Sequence, residues 1–148
     1  MSFNILIVDD SNSMRAVIKK IVTMSGFHMD NCYEAGNGKE ALAVLADAWV
    51  DIIISDINMP EMNGFEATNR IRAFEATQDW AWTPIIFLTS SDTVENLTTA
   101  IEAGGDDFMS KFVPEPVLHA KMKAMSRIAN LRNSLSLANR KLQDLASQ

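Results

Sequence analysis

Apolar residues follow two alternating rhythms along the first 112 positions. "FNILIV" (3–8), "DIIIS" (51–55) and "PIIFLT" (84–89) are short apolar runs with too little alternation for a half-exposed sheet. Such runs read as buried strands, and Pro84 takes the first position, where a strand tolerates it. "HMDNCY" (28–33) is more polar and reads as a strand near an edge; "DDFMSK" (106–111) reads as a short fifth strand. Between them the period changes. Met14, Val17, Ile18, Ile21 and Val22 fall at i, i+3, i+4, i+7 and i+8, one face of a helix that Ser11-Asn12-Ser13 can cap and Gly26 can stop. A second helix carries Leu42, Leu45 and Trp49, a third runs from Gly64 or Phe65 to about Phe74, and "DTVENLTTAIEAGG" makes a fourth. A long fifth helix starts near Glu115.

Strands alternating with helices of this length predict an α/β fold. We expect a (βα)5 doubly wound, parallel five-stranded sheet of flavodoxin-like type, with right-handed crossovers and an extended C-terminal helix. In such sheets ligands bind at the C-terminal rim of the strands. The rim residues are therefore Asp9 and Asp10 after strand one, Asp56 after strand three, Thr89 on strand four and Lys111 on strand five.

Three neighbouring carboxylates repel one another and need protons or a cation. An oxygen-only rim without His or Cys suits a hard cation, and Mg²⁺ is expected. Lys111 adds a point charge that can grip an anion, and Thr89 offers a hydroxyl. The set suits phosphoryl transfer to a carboxylate. Asp56, alone at its strand end, is the best-placed nucleophile; Asp9 and Asp10 suit metal binding. In "DINMPEMNG", Pro60 stiffens the loop so that a backbone carbonyl just after Asp56, that of Asn58, can complete a metal shell.

The totals narrow the class. With 148 residues the chain holds one domain with a good core. No apolar stretch approaches the roughly 20 residues of a membrane span. No secretory signal opens the chain, and Cys32 is its only cysteine, so a cytoplasmic setting without membrane attachment is expected. Net charge is −6, unevenly spread. Residues 1–114 hold 7 Lys+Arg against 17 Asp+Glu, and residues 115–148 hold 6 against 2. An acidic body disfavours direct nucleic-acid binding.

"ILIVDDS", "DINMPEMNG", the Thr of "FLTS" and "AGGDDFMSK" together resemble the receiver domain of two-component response regulators, over about residues 3–125. The resemblance implies a phosphoacceptor signalling domain rather than an enzyme acting on a separate substrate. A sensor histidine kinase or phosphotransfer protein would donate a phosphoryl group to Asp56. Asp10, Asp56 and the Asn58 carbonyl would ligate Mg²⁺, with Asp9 acting through water, while Lys111 and Thr89 hold the phosphoryl oxygens. Thr89 and Phe108 would form the switch, changing the face of helix four, strand five and helix five; Asn58 and Ser91 flank the site and would tune hydrolysis. One residue departs from the pattern. The family has Pro after the lysine, with a cis bond, whereas Phe112 follows Lys111 here. A cis bond before a non-proline residue costs about 2.5–4 kcal/mol. Either the loop stores that strain, or the bond is trans and Lys111 is aimed differently.

Helix five is expected to pack with Val117, Leu118, Met122 and Met125. Ile128, Leu131, Leu135, Ala138, Leu142 and Leu145 then follow at alternating steps of three and four, a seam of about two and a half heptads. This divides the chain into a receiver domain at 1–127 and a coiled-coil-like helical stalk at 128–148. It also predicts a homodimer when phosphorylated and a place at the N-terminal end of a longer regulator. Its output domain would be one such as a cyclic-dinucleotide enzyme; a stand-alone regulator acting on a downstream protein is the alternative. Trp80 and Trp82, close together in a loop, are expected to be buried over helix three, with an exposed partner site as the alternative. An Asp-nucleophile, Mg²⁺-dependent phosphatase would want a second acid two residues after Asp56, where Asn58 stands. A flavin-nucleotide binder would want a phosphate cradle where "VDDSNSM" offers two carboxylates.

Overall fold

Consecutive residues of a strand point to opposite faces of a sheet, so the buried strands of this chain feed two cores. In the computed structural model, which describes residues 2–24, 26–78, 82–90 and 93–147, five strands and five helices alternate. They are β1 (Ser2–Val8), α1 (Asn12–Met24), β2 (His28–Ala35), α2 (Gly38–Asp47) and β3 (Ile52–Ser55), followed by α3 (Gly64–Glu75), β4 (Ile85–Thr89), α4 (Val94–Glu102), β5 (Asp107–Ser110) and α5 (Glu115–Ala146). All strand pairs are parallel, in the order β2-β1-β3-β4-β5. This is the flavodoxin-like order the alternation predicts, with the polar β2 at one edge.

Ile5, Ile7, Ile52, Ile54, Ile86 and Leu88 face α1 and α5, where they meet Ile18, Val22, Leu118, Met122 and Met125. Leu6, Val8, Ile53, Ile85 and Phe87 face the other way, onto Ala41 of α2, Ile71 of α3 and Ala100 of α4. Burying each of the larger side chains contributes about 1.5–3 kcal/mol, so the two layers fix the sheet firmly. The helices start where capping residues allow. Ser11 accepts from the Met14 amide, Asn37 from Glu40, Asn63 from Glu66 and Thr93 from Asn96.

Two expected core positions lie outside. Val17 and Val117 are exposed, each one residue ahead of a buried stripe headed by Ile18 and by Leu118. One residue is about 100° of helix rotation, enough to turn a side chain from the sheet to water. Trp82 lies over helix three, its ring centre 3.3 Å from the Arg72 guanidinium carbon, but it is 44% exposed rather than buried there, because the guanidinium covers one ring face only. Trp80 lies outside the described residues.

Helix α5 runs unbroken through residue 127 and keeps burying residues as far as Ser136. Its lower half crosses beneath the start of β3. There the Arg132 guanidinium donates to the Val50 carbonyl (2.5 Å) and stacks on Trp49, 3.8 Å from the ring centre. Asn133 and the Trp49 indole both reach the buried Asp51 carboxylate, which also accepts from the Asn4 amide. Burial pushes the Arg132 pKa down to about 10, so the group remains a cation at neutral pH. Beyond Ser136 every described residue of the helix is exposed.

Arg132→Ala removes the stacked cation and strands the Val50 carbonyl. We expect a loss of about 2–3 kcal/mol in urea unfolding, with faster amide exchange in the last three turns of α5.

Candidate functional site

β1 and β3 are paired neighbours, with Val8 opposite Ser55, so the residues that follow them emerge side by side. Asp9 and Asp56 are those residues. Their backbones are fixed before their side chains are considered: the Asp9 amide donates to the Ala35 carbonyl (3.0 Å) and the Asp56 amide to the Val8 carbonyl (2.8 Å). Asp9 is 1% exposed and Asp56 8%, whereas Asp10 lies in solvent. One oxygen from each of Asp9, Asp10 and Asp56 can be chosen so that all lie within 4.8 Å of one another.

Lys111 completes the cluster from the far side of the sheet. Its ammonium donates to Asp9 Oδ2 at 2.8 Å and lies 3.2 Å from Asp56 Oδ2. The remaining oxygens are also engaged, Asp9 Oδ1 by the Ser11 amide (3.0 Å) and Asp56 Oδ1 by the Ile57 amide (2.8 Å). Burial pushes the Asp56 pKa up; the Ile57 amide and Lys111 pull it back, and Asp9 adds a further upward push. Burial pulls the Lys111 pKa down, but the bond to Asp9 and the charges of Asp56 and Asp9 outweigh it, and the net direction is up. Lys111 is therefore a firm cation, and Asp56 bears its charge against the pull of burial.

The peptide bond between Lys111 and Phe112 is trans, as is every bond among the described residues. The ammonium nevertheless reaches both carboxylates. Lys111 is held by its own amide, which donates to the Thr89 carbonyl (2.8 Å), while Phe112 turns out to solvent at 80% exposure. Thr89 is fully buried at the end of β4. Phe108 is also buried, level with Phe87 of β4, on the face that carries α2, α3 and α4. Ser91 lies outside the described residues.

The loop after Asp56 is stapled at several points. The Gly64 amide donates to the Ile57 carbonyl, Met62 to Pro60 and Gly38 to Met62. Glu61 takes a left-handed conformation (φ 66), one few residues other than glycine adopt, so the chain can fold back at this point. Gly64 must be glycine because a Cβ there would lie 2.2 Å from the Asp56 carbonyl oxygen. Asn58 sits exposed between Asp56 and this staple.

Sequence reasoning did not find Arg15. From the first turn of α1 its guanidinium donates to the Asp9 carbonyl (2.5 Å) and to Glu34 of β2 (3.0 Å), with a third contact to Asn12. Its place six residues after Asp9, at the rim end of a helix, is the only signal the sequence carries.

The architecture and rim define a doubly wound α/β domain whose strand ends present an acid cluster and a lysine where a nucleotide-binding relative would present a phosphate cradle. The chain belongs to the response regulator receiver domain family, whose model matches residues 5–123. It is 37% identical over 120 residues to a chemotaxis protein CheY homolog of Campylobacter jejuni, covering 80% of this chain and 88% of that one. It is 36% identical over 123 residues to the phosphate regulon transcriptional regulatory protein PhoB of Pseudomonas aeruginosa, covering 83% of this chain and 51% of that regulator. Among solved structures, the chemotaxis response regulator CheY4 of Vibrio cholerae superposes with a TM-score of 0.70 at 30% identity, over 84% of this chain and 99% of that one. The protein thus carries a receiver domain of two-component signalling.

Asp56→Asn tests the electrostatics. A folded-state pKa above the ordinary aspartate value means that Asp56 supports folding when protonated and loses that support as pH rises through its folded pKa. The variant should therefore melt higher than the wild type at neutral pH without added metal. The gap should close as pH falls below about 4, where the carboxyl is neutral in both folded and unfolded chains. Equal melting temperatures at both pH values would contradict this.

Proposed function

We propose that Asp56 accepts a phosphoryl group from the phosphohistidine of a sensor kinase or phosphotransfer protein, in a reaction that requires Mg²⁺. The observation that carries this reading is the single ammonium group of Lys111 shared between Asp9 and Asp56. That arrangement supports a reading in which an Asp56 oxygen, a cation and two further acids meet one incoming phosphoryl group. Asp56 Oδ2 faces Lys111 while Oδ1 is tied to the Ile57 amide, so Oδ2 is the attacking oxygen. The new bond joins it to phosphorus as the phosphorus–nitrogen bond of the donor breaks. Lys111 then follows the negative charge onto a phosphoryl oxygen, and the Thr89 hydroxyl, at the adjacent strand end, takes another.

The donor set fits the metal. Three carboxylates within 4.8 Å, two buried and one open to water, match a hard divalent cation that keeps part of its hydration shell. Asp10, Asp56 and the Asn58 carbonyl are the direct ligands in this reading, with Asp9 acting through water. When bound, Mg²⁺ neutralises charge that would otherwise repel the donor. The domain is a phosphoacceptor that switches through Thr89 and Phe108 and the face of α4, β5 and α5.

In this reading residues 128–148 form the stalk, its first turns to Ser136 packed beneath the sheet and the rest of its described residues exposed. Leu131, Leu135, Leu142 and Leu145 are each more than half exposed, at the spacing of a coiled-coil seam, which supports a homodimer of the phosphorylated protein and an output domain beyond it in a longer regulator. An output such as a cyclic-dinucleotide enzyme fits a dimeric stalk.

Intact mass after incubation with acetyl phosphate is the first test. One phosphoryl group should be added, only with Mg²⁺ present, and none to Asp56→Asn; addition without Mg²⁺ or to the variant would overturn the site. Light scattering of the phosphorylated chain should then report a dimer, and Leu135→Lys/Leu142→Lys, both at exposed positions, should return it to monomer.

A further inference from the structure

Asp9 and Asp10 are adjacent in sequence but held very differently. Asp9 is fixed by its amide, by both carboxylate oxygens and by its carbonyl, whereas among the described residues no side chain or amide holds the Asp10 carboxylate. Where that carboxylate can reach therefore depends on its own rotamers and on the backbone that carries it, and only the backbone is held by the fold. The Asp9 carbonyl belongs to the peptide joining the two acids. Because a peptide is planar, holding its oxygen sets the direction in which the Asp10 Cα leaves.

Arg15 holds that oxygen. Its side chain is 13% exposed, and its three nitrogens are divided among three partners: Nη1 donates to the Asp9 carbonyl at 2.5 Å, Nε to Glu34 Oε1 at 3.0 Å, and Nη2 to Asn12 Oδ1. These partners lie at the end of β1, on β2 and at the start of α1, so the guanidinium ties together the elements that meet behind the acid pair. The planar fork presents its donors from three separate nitrogens toward three partners, whereas a lysine would have to reach all of them from a single nitrogen.

We propose that Arg15 is a positioning residue for divalent-cation binding: by clamping the Asp9–Asp10 peptide it aims the free Asp10 carboxylate at the Asp56 carboxylate. This rests on the metal reading proposed above. The Arg15–Glu34 pair is partly solvated and contributes little to stability by itself, and melting temperature read beside affinity separates a loss of aim from a loss of fold.

The test is calorimetric titration of the whole chain with MgCl₂, alongside melting temperature and phosphoryl uptake from acetyl phosphate. Arg15→Ala should weaken Mg²⁺ binding about tenfold, the lower end of what loss of an outer-shell partner does to a metal site. Its phosphoryl uptake should still reach the wild-type extent at saturating Mg²⁺. Arg15→Lys should fall between the two. An Arg15→Ala chain that binds Mg²⁺ like the wild type overturns the proposal, as does one whose uptake stays low at saturation. If Arg15→Ala does not fold, Glu34→Gln, at an exposed side chain, should weaken Mg²⁺ in the same direction by less, and unchanged affinity there overturns it. A wild-type chain that binds no Mg²⁺ overturns the metal reading itself; a wild type that binds it, with variants that bind it equally, overturns only the role of Arg15.

Discussion

One ammonium group sits between two carboxylates at the end of the sheet, and the rim is organised around it. At about 3 Å and the effective dielectric of a protein surface, each Lys111 contact is on the order of 5 kcal/mol of gross attraction, offset by the cost of taking three charges out of water. The balance leaves Asp56 reluctant to ionise and Lys111 reluctant to lose its proton. A site in that condition favours an arriving cation, because the acids outnumber the lysine. Parallel pairing of β1 with β3 makes the arrangement compulsory, since it delivers both acids at one level.

The rigid loop serves the same end. Asp56 is the first residue past a strand of four, and a carboxylate there would wander if the chain beyond it were free. Gly64 passes so close to the Asp56 carbonyl that no side chain fits between, and the buried Met62 tucks against Gly38 of α2. The segment is held by backbone contacts and small residues, with Asn58 the first of its exposed positions after Asp56.

Fold and site were legible in the sequence to different depths. The parallel α/β architecture followed from alternating strand and helix rhythms, because most elements are bounded by glycine, proline or a capping residue. Asp9, Asp56, Thr89 and Lys111 were legible because a strand end is a place that sequence defines. What escaped were meetings between elements. Nothing local tells that Arg15 turns back to the Asp9 carbonyl, or that Arg132 slides beneath β3 onto Trp49; both depend on how one helix is rotated against its neighbours. The same rotation put Val17 and Val117 in water. The aim of Lys111 was undecided for a related reason. Its direction follows from β5 pairing with β4, and the trans bond to Phe112 does not disturb it.

The anchoring of α5 has a mechanical consequence. The helix begins four residues after Lys111, at the chemical end of the domain, and is gripped at Arg132 beneath the opposite end of the sheet. At 1.5 Å per residue, about 25 Å of it lies above that grip and about 21 Å below. A rod packed along one stretch and free beyond it behaves as a lever: any tilt of the packed stretch from Leu118 to Ser136 is carried undiminished into the exposed turns past Ser136, where Leu142 and Leu145 lie.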